Sequence, residues 1–186
     1  MTSYWTGERV RLRAVEPEDG PLLARLSVEE ERLGDALDPP RSLEGWAAFA
    51  REKAAADPTA DTYQLVIESL ADGTAVGMTS VHRADSRSGL FEYGITIGAE
   101  HRRRGYATEA VSLLLRHQFE ERRCHKGTAR VFAHNEPSLA LQRQLGFTEE
   151  GRLRRHFFVA GRHRDVVLFA MFAEEFFAHH GGPTQL

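Results

Sequence analysis

Hydrophobic and polar positions divide the chain into short periodic segments. Arg9-Val10-Arg11-Leu12-Arg13 alternates residue by residue, the period of a half-buried strand. Pro17-Glu18-Asp19 opens a helix with an acidic first turn, and Leu22, Leu23 and Leu26 form its apolar stripe. Residues 29–40 are acidic and end in Pro39-Pro40, which reads as a helix end and loop. Ser42 suits the N-cap of a second helix, with Leu43, Trp46, Ala47 and Ala50 spaced i, i+3, i+4, i+7; Asp57-Pro58 closes it. Three strand-like runs follow: Tyr63–Leu70, Ala75–His82 and Leu90–Ile97. Asp72-Gly73 and Ser88-Gly89 supply the turn chemistry between them, so an antiparallel meander is expected.

Beyond Ile97 the period lengthens to that of a helix. Ala107, Val111, Leu115 and Phe119 recur every four residues and predict a helix to about Arg122. Ala129–Ala133 reads as a short strand, and Asn135 to Leu145 as a helix stopped by Gly146. The last strands start at Phe147, Arg155 and Val166, with Ala160-Gly161 turning between the final two. The tail from His179 to Leu186 has no period and is expected to fray. The order β–α–α–β–β–β–α–β–α–β–β predicts one α/β (α+β) domain over residues 1–178, a mixed and mostly antiparallel sheet flanked by helices.

Composition narrows the function classes. With 186 residues, 41% apolar and 27% charged, the chain fits one globular domain that needs no metal or disulfide staple. The single cysteine, Cys124, cannot form an internal disulfide and favours a reducing compartment. The longest apolar run, Val166–Ala173, is too short to span a bilayer, and the first residues lack a basic start followed by an apolar stretch. A cytoplasmic protein without membrane contact is expected. The net charge of −3 argues against a broad nucleic-acid surface. The nine histidines show no H-E-x-x-H and no paired C-x-x-C accompanies them, so no metal is expected. No P-loop, G-x-G-x-x-G or G-x-S-x-G motif is present, and nothing around Cys124 points to covalent catalysis.

One segment is electrostatically out of place. His101-Arg102-Arg103-Arg104-Gly105-Tyr106-Ala107-Thr108 puts cations where a helix begins, although a helix N-terminus carries partial positive charge. An anion bound there relieves the conflict: free backbone N–H groups, a glycine and flanking arginines make a phosphate site. A solvated basic turn is the plainer alternative.

Ile97-x-x-x-x-Arg102-x-x-Gly105-x-Ala107 resembles the pyrophosphate motif of the GNAT N-acetyltransferase superfamily. Asn135-x-x-Ser138, Leu145-Gly146-Phe147-x-x-Glu150-Gly151 and Gly161-x-x-x-Asp165-Val166-Val167 extend the resemblance to its RimJ/RimL-like branch, from about Arg9 to Phe177. The resemblance implies an acyl-CoA donor, usually acetyl-CoA, and transfer to a primary amine. It implies that the loop and helix start from Arg102, Arg103, Arg104 and Gly105 through Tyr106, Ala107 and Thr108 hold the pyrophosphate. The strand matching Tyr93–Ile97 would pair with the pantetheine arm, and a backbone N–H near Ile97 would polarise the thioester carbonyl, where preorganised donors are worth several kcal/mol. The strands at about 91–97 and 129–133 would splay apart to open the cleft. Homodimers are common in the family, but nothing in this sequence marks one.

The resemblance also assigns roles. Asn135 would contact the CoA arm, beside its plainer role as an N-cap. Ser138 would protonate the departing thiolate; a surface serine is the alternative. Glu92 alternates with Gly94 and Thr96 on one strand face and would take the amine proton, directly or through water; a cross-strand salt bridge with Arg83 or Arg87 is the alternative. Close relatives carry an acid where this chain has His156-Phe157-Phe158, which leaves His156 as a substitute base. Glu29, Glu30, Glu31, Asp35 and Asp38 fall where the family lines its acceptor side, though a solvated face is as fitting. Trp5 and Trp46 read as core or rim packing. Three rival readings stay open: an inactive CoA-binding sensor, a protein using Arg102–Arg104 on nucleic-acid phosphates, and a transferase for a longer donor such as succinyl-CoA. Protein N-termini, small amines, antibiotics and amino acids are all acceptors among relatives.

Overall fold

The computed structural model describes residues 3–33 and 39–182, with residues 30–33 described by their backbone alone. Seven strands, β1 (Val10–Ala14), β2 (Tyr63–Ser69), β3 (Ala75–Asp85), β4 (Leu90–Ile97), β5 (Lys126–Phe132), β6 (Thr148–Val159) and β7 (Arg162–Phe172), form one sheet. Its order is β1-β2-β3-β4-β5-β7-β6. Every neighbouring pair is antiparallel except β4 and β5. A parallel pair needs a crossover, and helix α3 (Tyr106–Glu120) supplies it.

The meander and the α3 stripe follow the expected periods. Val111, Leu114 and Leu115 are fully buried against Phe91, Val131 and Phe169, and this larger core lies under α3, α4 (Glu136–Leu145) and α5 (Ala173–His180). A smaller cluster of Val15, Leu22, Leu26 and Val66 lies under α1 (Gly20–Leu33), which packs with α2 (Leu43–Ala54). Ser42 caps α2 by accepting from the Gly45 N–H at 3.0 Å. At the start of α1, buried Asp19 takes a two-pronged grip from Arg13 at 2.7 and 2.8 Å, and Arg13 also holds Glu68 of β2.

Several boundaries differ from the periodicity, β3 among them, which runs to Asp85 rather than His82. β6 is one continuous twelve-residue strand whose pairing with β7 shifts register twice, so the two strands expected there are joined. β5 begins at Lys126 and β7 at Arg162, each earlier than expected, because antiparallel pairing carries their polar ends along. The region expected to fray from residue 179 is helical through His180. Phe176 is fully buried, its ring stacks on His180, and His180 Nε2 lies 3.2 Å from the Leu145 carbonyl. Residues 183–186 lie outside those described.

Candidate active site

The parallel pairing of β4 and β5 lasts three residues, Leu90 to Glu92 against Lys126 to Thr128. Beyond the Glu92–Thr128 pair the strands diverge, which leaves Tyr93–Ile97 without a β5 partner and matches the expected splay. A cleft of about 1320 Å³ fills the gap. Its walls include Ser27 and Trp46 from the α1–α2 side, Gly94 to Ile97 from β4, Arg130 from β5 and Ser138 from α4.

At one end of the cleft the chain turns into α3. Arg103 and Gly105 both have positive φ, 61° and 79°, and α3 starts without a side-chain cap. Successive N–H groups in such a turn form a concave nest that suits an anion, with the helix dipole behind it. Arg103, Gly105, Tyr106, Ala107 and Thr108 all line the cleft. Arg102 lines it too, and two of its donors go to protein: Nε to the Ile97 carbonyl at 3.1 Å and Nη2 to Glu29 at 2.7 Å. Arg104 instead donates to the Glu100 carbonyl and is not part of the lining. The one acid in the first turn, Glu109, faces away from this end. It accepts the N–H groups of Glu8, Arg9 and Val10, each at 2.8 Å, and so anchors α3 to the start of β1.

On the opposite wall, Asn135 follows β5 and caps α4, its side chain accepting the Ser138 N–H at 3.2 Å. The cap brings Asn135 and half-buried Ser138 to the cleft at the positive end of a helix dipole. Buried Tyr93 donates to Gln142 Oε1 at 2.7 Å and ties β4 to α4 across the core. Burial pushes the Tyr93 hydroxyl above the ordinary tyrosine range, so it is a fixed donor.

Glu92 stands where the strands part. Burial alone would raise its carboxyl, but the His82 hydrogen bond and the charges of His82, Arg83 and Arg130 outweigh that and hold it below the ordinary range. His82 Nε2 is 2.9 Å from Glu92 Oε1, and Arg83 Nη1 is 4.0 Å from Oε2. The cross-strand pair with Arg83 is therefore present, although its stronger partner is a histidine that the sequence does not mark. His156 does not line the cleft. It accepts from Arg130 Nη2 at 2.9 Å, which occupies the nitrogen a base would need. Phe157, next to it, does reach the lining.

The acidic stretch expected to line an acceptor side is partly described. Glu29 is engaged with Arg102, the side chains of Glu30 and Glu31 lie outside the described set, and Asp35 and Asp38 fall outside the described residues. Trp46 lines the rim of the cleft, with the Arg41 guanidinium 5.3 Å over its ring and 4.8 Å over Phe49. Trp5 packs on His117 and the core instead. Among the described residues no group of three His, Cys, Asp or Glu side chains could hold a metal ion. None of the described helices is long and apolar enough to cross a membrane.

Residues 9–148 match the model of the acetyltransferase (GNAT) domain. The chain belongs to the GNAT acetyltransferase family. A Bacillus subtilis relative, "SPbeta prophage-derived uncharacterized N-acetyltransferase YokL", is 35% identical over 96% of this chain and 98% of its own. Another from Bacillus subtilis, "Putative ribosomal N-acetyltransferase YdaF", is 29% identical over 94% and 97%, in keeping with the RimJ/RimL-like branch. The spermidine N(1)-acetyltransferase of Escherichia coli K12 is 29% identical over 61% of each chain. The crystal structure of a GCN5-related N-acetyltransferase from Brucella melitensis superposes with a TM-score of 0.75 at 28% identity, covering 92% of this chain and 79% of that one. The GNAT domain of this chain is thus an N-acetyltransferase domain, and GNAT enzymes use acetyl-CoA as cosubstrate.

Proposed function

We propose that the protein transfers an acetyl group from acetyl-CoA to a primary amine by direct attack in a ternary complex. One observation carries the reading: the cleft that opens where β4 parts from β5 after Glu92 runs along β4 from the anion-suited turn at Arg103–Gly105 to the Glu92 carboxylate. A thioester with a pyrophosphate at one end fits that path. The nest at Arg103–Thr108 would hold the phosphates, and the β4 backbone that lines the cleft would hold the pantetheine arm. Backbone N–H groups near Ile97 would meet the charge that builds on the thioester oxygen. Asn135 and Ser138 face the arm from α4, and Ser138 would give its proton to the leaving thiolate, which the α4 dipole also favours. Glu92 is the carboxylate of the site, and the amine proton would leave to Glu92 or through a group that it orients.

The acceptor is a peptide N-terminus or a small-molecule amine. The name of the Bacillus ribosomal relative supports the first and that of the spermidine enzyme the second. Thiol release from acetyl-CoA, measured against N-terminal peptides, polyamines and aminoglycosides, tests the reading. At least one class is expected to release CoA thiol in step with acetylated amine. Binding of acetyl-CoA without release in any class would favour a sensor, and no binding at all would sink the transferase reading. Faster release from succinyl-CoA would reassign the donor.

A further inference from the structure

The pairing of β3 with β4 has one irregularity. Val81 pairs with Tyr93 and Arg83 with Glu92, so His82 is an extra residue without a partner, a β-bulge at the mouth of the cleft. A bulge re-aims side chains, and here it turns two consecutive residues, His82 and Arg83, onto one carboxylate. His82 gives Nε2–H to Glu92 Oε1, which leaves Nδ1 as its acceptor nitrogen, met only by a long contact from the Ser80 hydroxyl. That nitrogen lies 3.5 Å from Ser80 Oγ and above Gly94: a β-carbon added at Gly94 would stand 3.3 Å from His82 Cε1 and 3.4 Å from Nδ1. The bare backbone of Gly94 is what lets the imidazole lie over the strand that flanks the cleft.

Gln64 of β2 pairs with Ser80, and Ser80 with Gly94, so the three sit in one row across the sheet, and all line the cleft. The side-chain oxygen of Gln64 is buried and has no hydrogen-bond partner among the described residues. An unmet buried acceptor is unfavourable, and an N–H donor from a bound molecule would relieve it.

From this arrangement, and resting on the transferase reading above, we infer that Gln64, Ser80 and His82 form the seat of the acceptor nitrogen. His82 Nδ1 takes its proton, and Glu92 acts through His82 as a positioning residue. The neutral amine forms the C–N bond with its lone pair, and the C–S bond breaks with its pair onto sulfur. One N–H proton passes to His82 and the thiolate takes one from Ser138; solvent then resets both groups. The Glu92 carboxylate fixes the Nε2–H tautomer and stabilises the imidazolium that forms, and its depressed pKa suits that task better than it suits proton abstraction. The charged groups around the pair are Arg83 of β3 and Arg130 of β5; Ser80 and Gln64 are neutral.

The test uses the full chain, acetyl-CoA and the amine that releases thiol fastest in the panel. His82→Gln keeps a donor for Glu92 but cannot accept the proton. It is expected to lower kcat on the order of 10²-fold, to leave the Kd for acetyl-CoA within twofold, and to remove the acidic limb of the kcat/KM profile. Glu92→Gln is expected to cost less in turnover, and the double variant to be no slower than His82→Gln alone. Gln64→Leu should raise the amine KM several-fold with kcat nearly kept. The His82 side chain is 44% exposed, so its replacement leaves the core untouched, and unchanged acetyl-CoA affinity verifies the fold. Turnover of His82→Gln within threefold of the parent, or an unmoved acidic limb, overturns the inference while leaving the transferase reading standing. A parent chain that turns over no amine overturns both.

Discussion

Arg102 joins two walls of the cleft that are far apart in the chain: its guanidinium donates to Glu29 of α1 at 2.7 Å while its Nε holds the carbonyl of Ile97 at the end of β4. The residue that begins the anion-suited loop therefore also braces α1. Because the arginine side chain is 40% exposed and the glutamate 13%, the pair sits between a surface contact and a buried one. A double-mutant cycle of Arg102→Ala and Glu29→Gln, read by urea denaturation, is expected to give a coupling of about 0.2–1 kcal/mol. Zero coupling would mean that the bridge is incidental.

Gly105 has φ +79°, and a β-carbon there would meet only Arg9 atoms at 3.7 Å or more. Space is ample, so the cost of Gly105→Ala comes from the backbone conformation, about 1–2 kcal/mol. Its N–H belongs to the proposed phosphate nest, so acetyl-CoA affinity should fall at least fivefold beyond what the stability loss explains. Calorimetric titration with CoA decides it; unchanged affinity would remove this turn from the phosphate site.

Asn135 and Ser138 separate capping from chemistry. Asn135→Ala removes the α4 cap and should cost about 1 kcal/mol of stability. Ser138→Ala leaves the cap in place, since the Ser138 backbone N–H is the donor; it should lower kcat about tenfold or more with donor Kd unchanged. Equal losses in kcat and donor affinity would reduce Ser138 to packing.

Acid should weaken the joint between β1, β2 and α1. Burial acts to raise the Asp19 carboxyl, but the Arg13 hydrogen bonds and the Glu16 N–H prevail and hold it below the ordinary range. A folded-state value below the unfolded one means stability that is present above about pH 4, the unfolded value, and lost as pH falls through the folded one. The urea midpoint should therefore drop on acidification below about pH 4. In Asp19→Asn the midpoint at neutral pH should already be lower and its acid dependence flatter; parallel curves would refute the assignment.

Phe176 is fully buried among Phe119, Phe177 and His180 on a helix without a readable period. Phe176→Ala should cost about 3–5 kcal/mol, a large share of the total for a domain of this size. A thermal midpoint within a few degrees of the parent would show that α5 is dispensable.

Several of these features were open to reading from the chain alone. Alternation over Leu90–Ile97 and the four-residue recurrence from Ala107 to Phe119 specify a strand and a helix because each buries one face, and local spacing records that burial. The capping residues Ser42 and Asn135 and the stop at Gly146, φ +92°, are equally local. The motif spacing around Arg102, Gly105 and Asn135 carried the family, because backbone geometry at a helix start depends on a few consecutive residues.

The rest depends on partners distant in sequence. The acidic first turn Glu174-Glu175 and the closing Gly181 are the local marks of α5, but at eight residues the helix depends on contacts with Phe119 and Leu145. That Arg102 turns to Glu29 while Arg103 lines the cleft depends on where α1 lies, and three adjacent arginines look alike in a sequence. His82 is one of nine histidines with no motif around it; only the offset between Val81–Tyr93 and Arg83–Glu92 brings it onto the carboxylate. The sequence by itself determined most of the elements, the family and the anion-suited turn, because those follow from contacts within a few residues. Tertiary structure alone decided which charges meet inside the cleft, because that is a matter of strand register and helix packing between segments tens of residues apart.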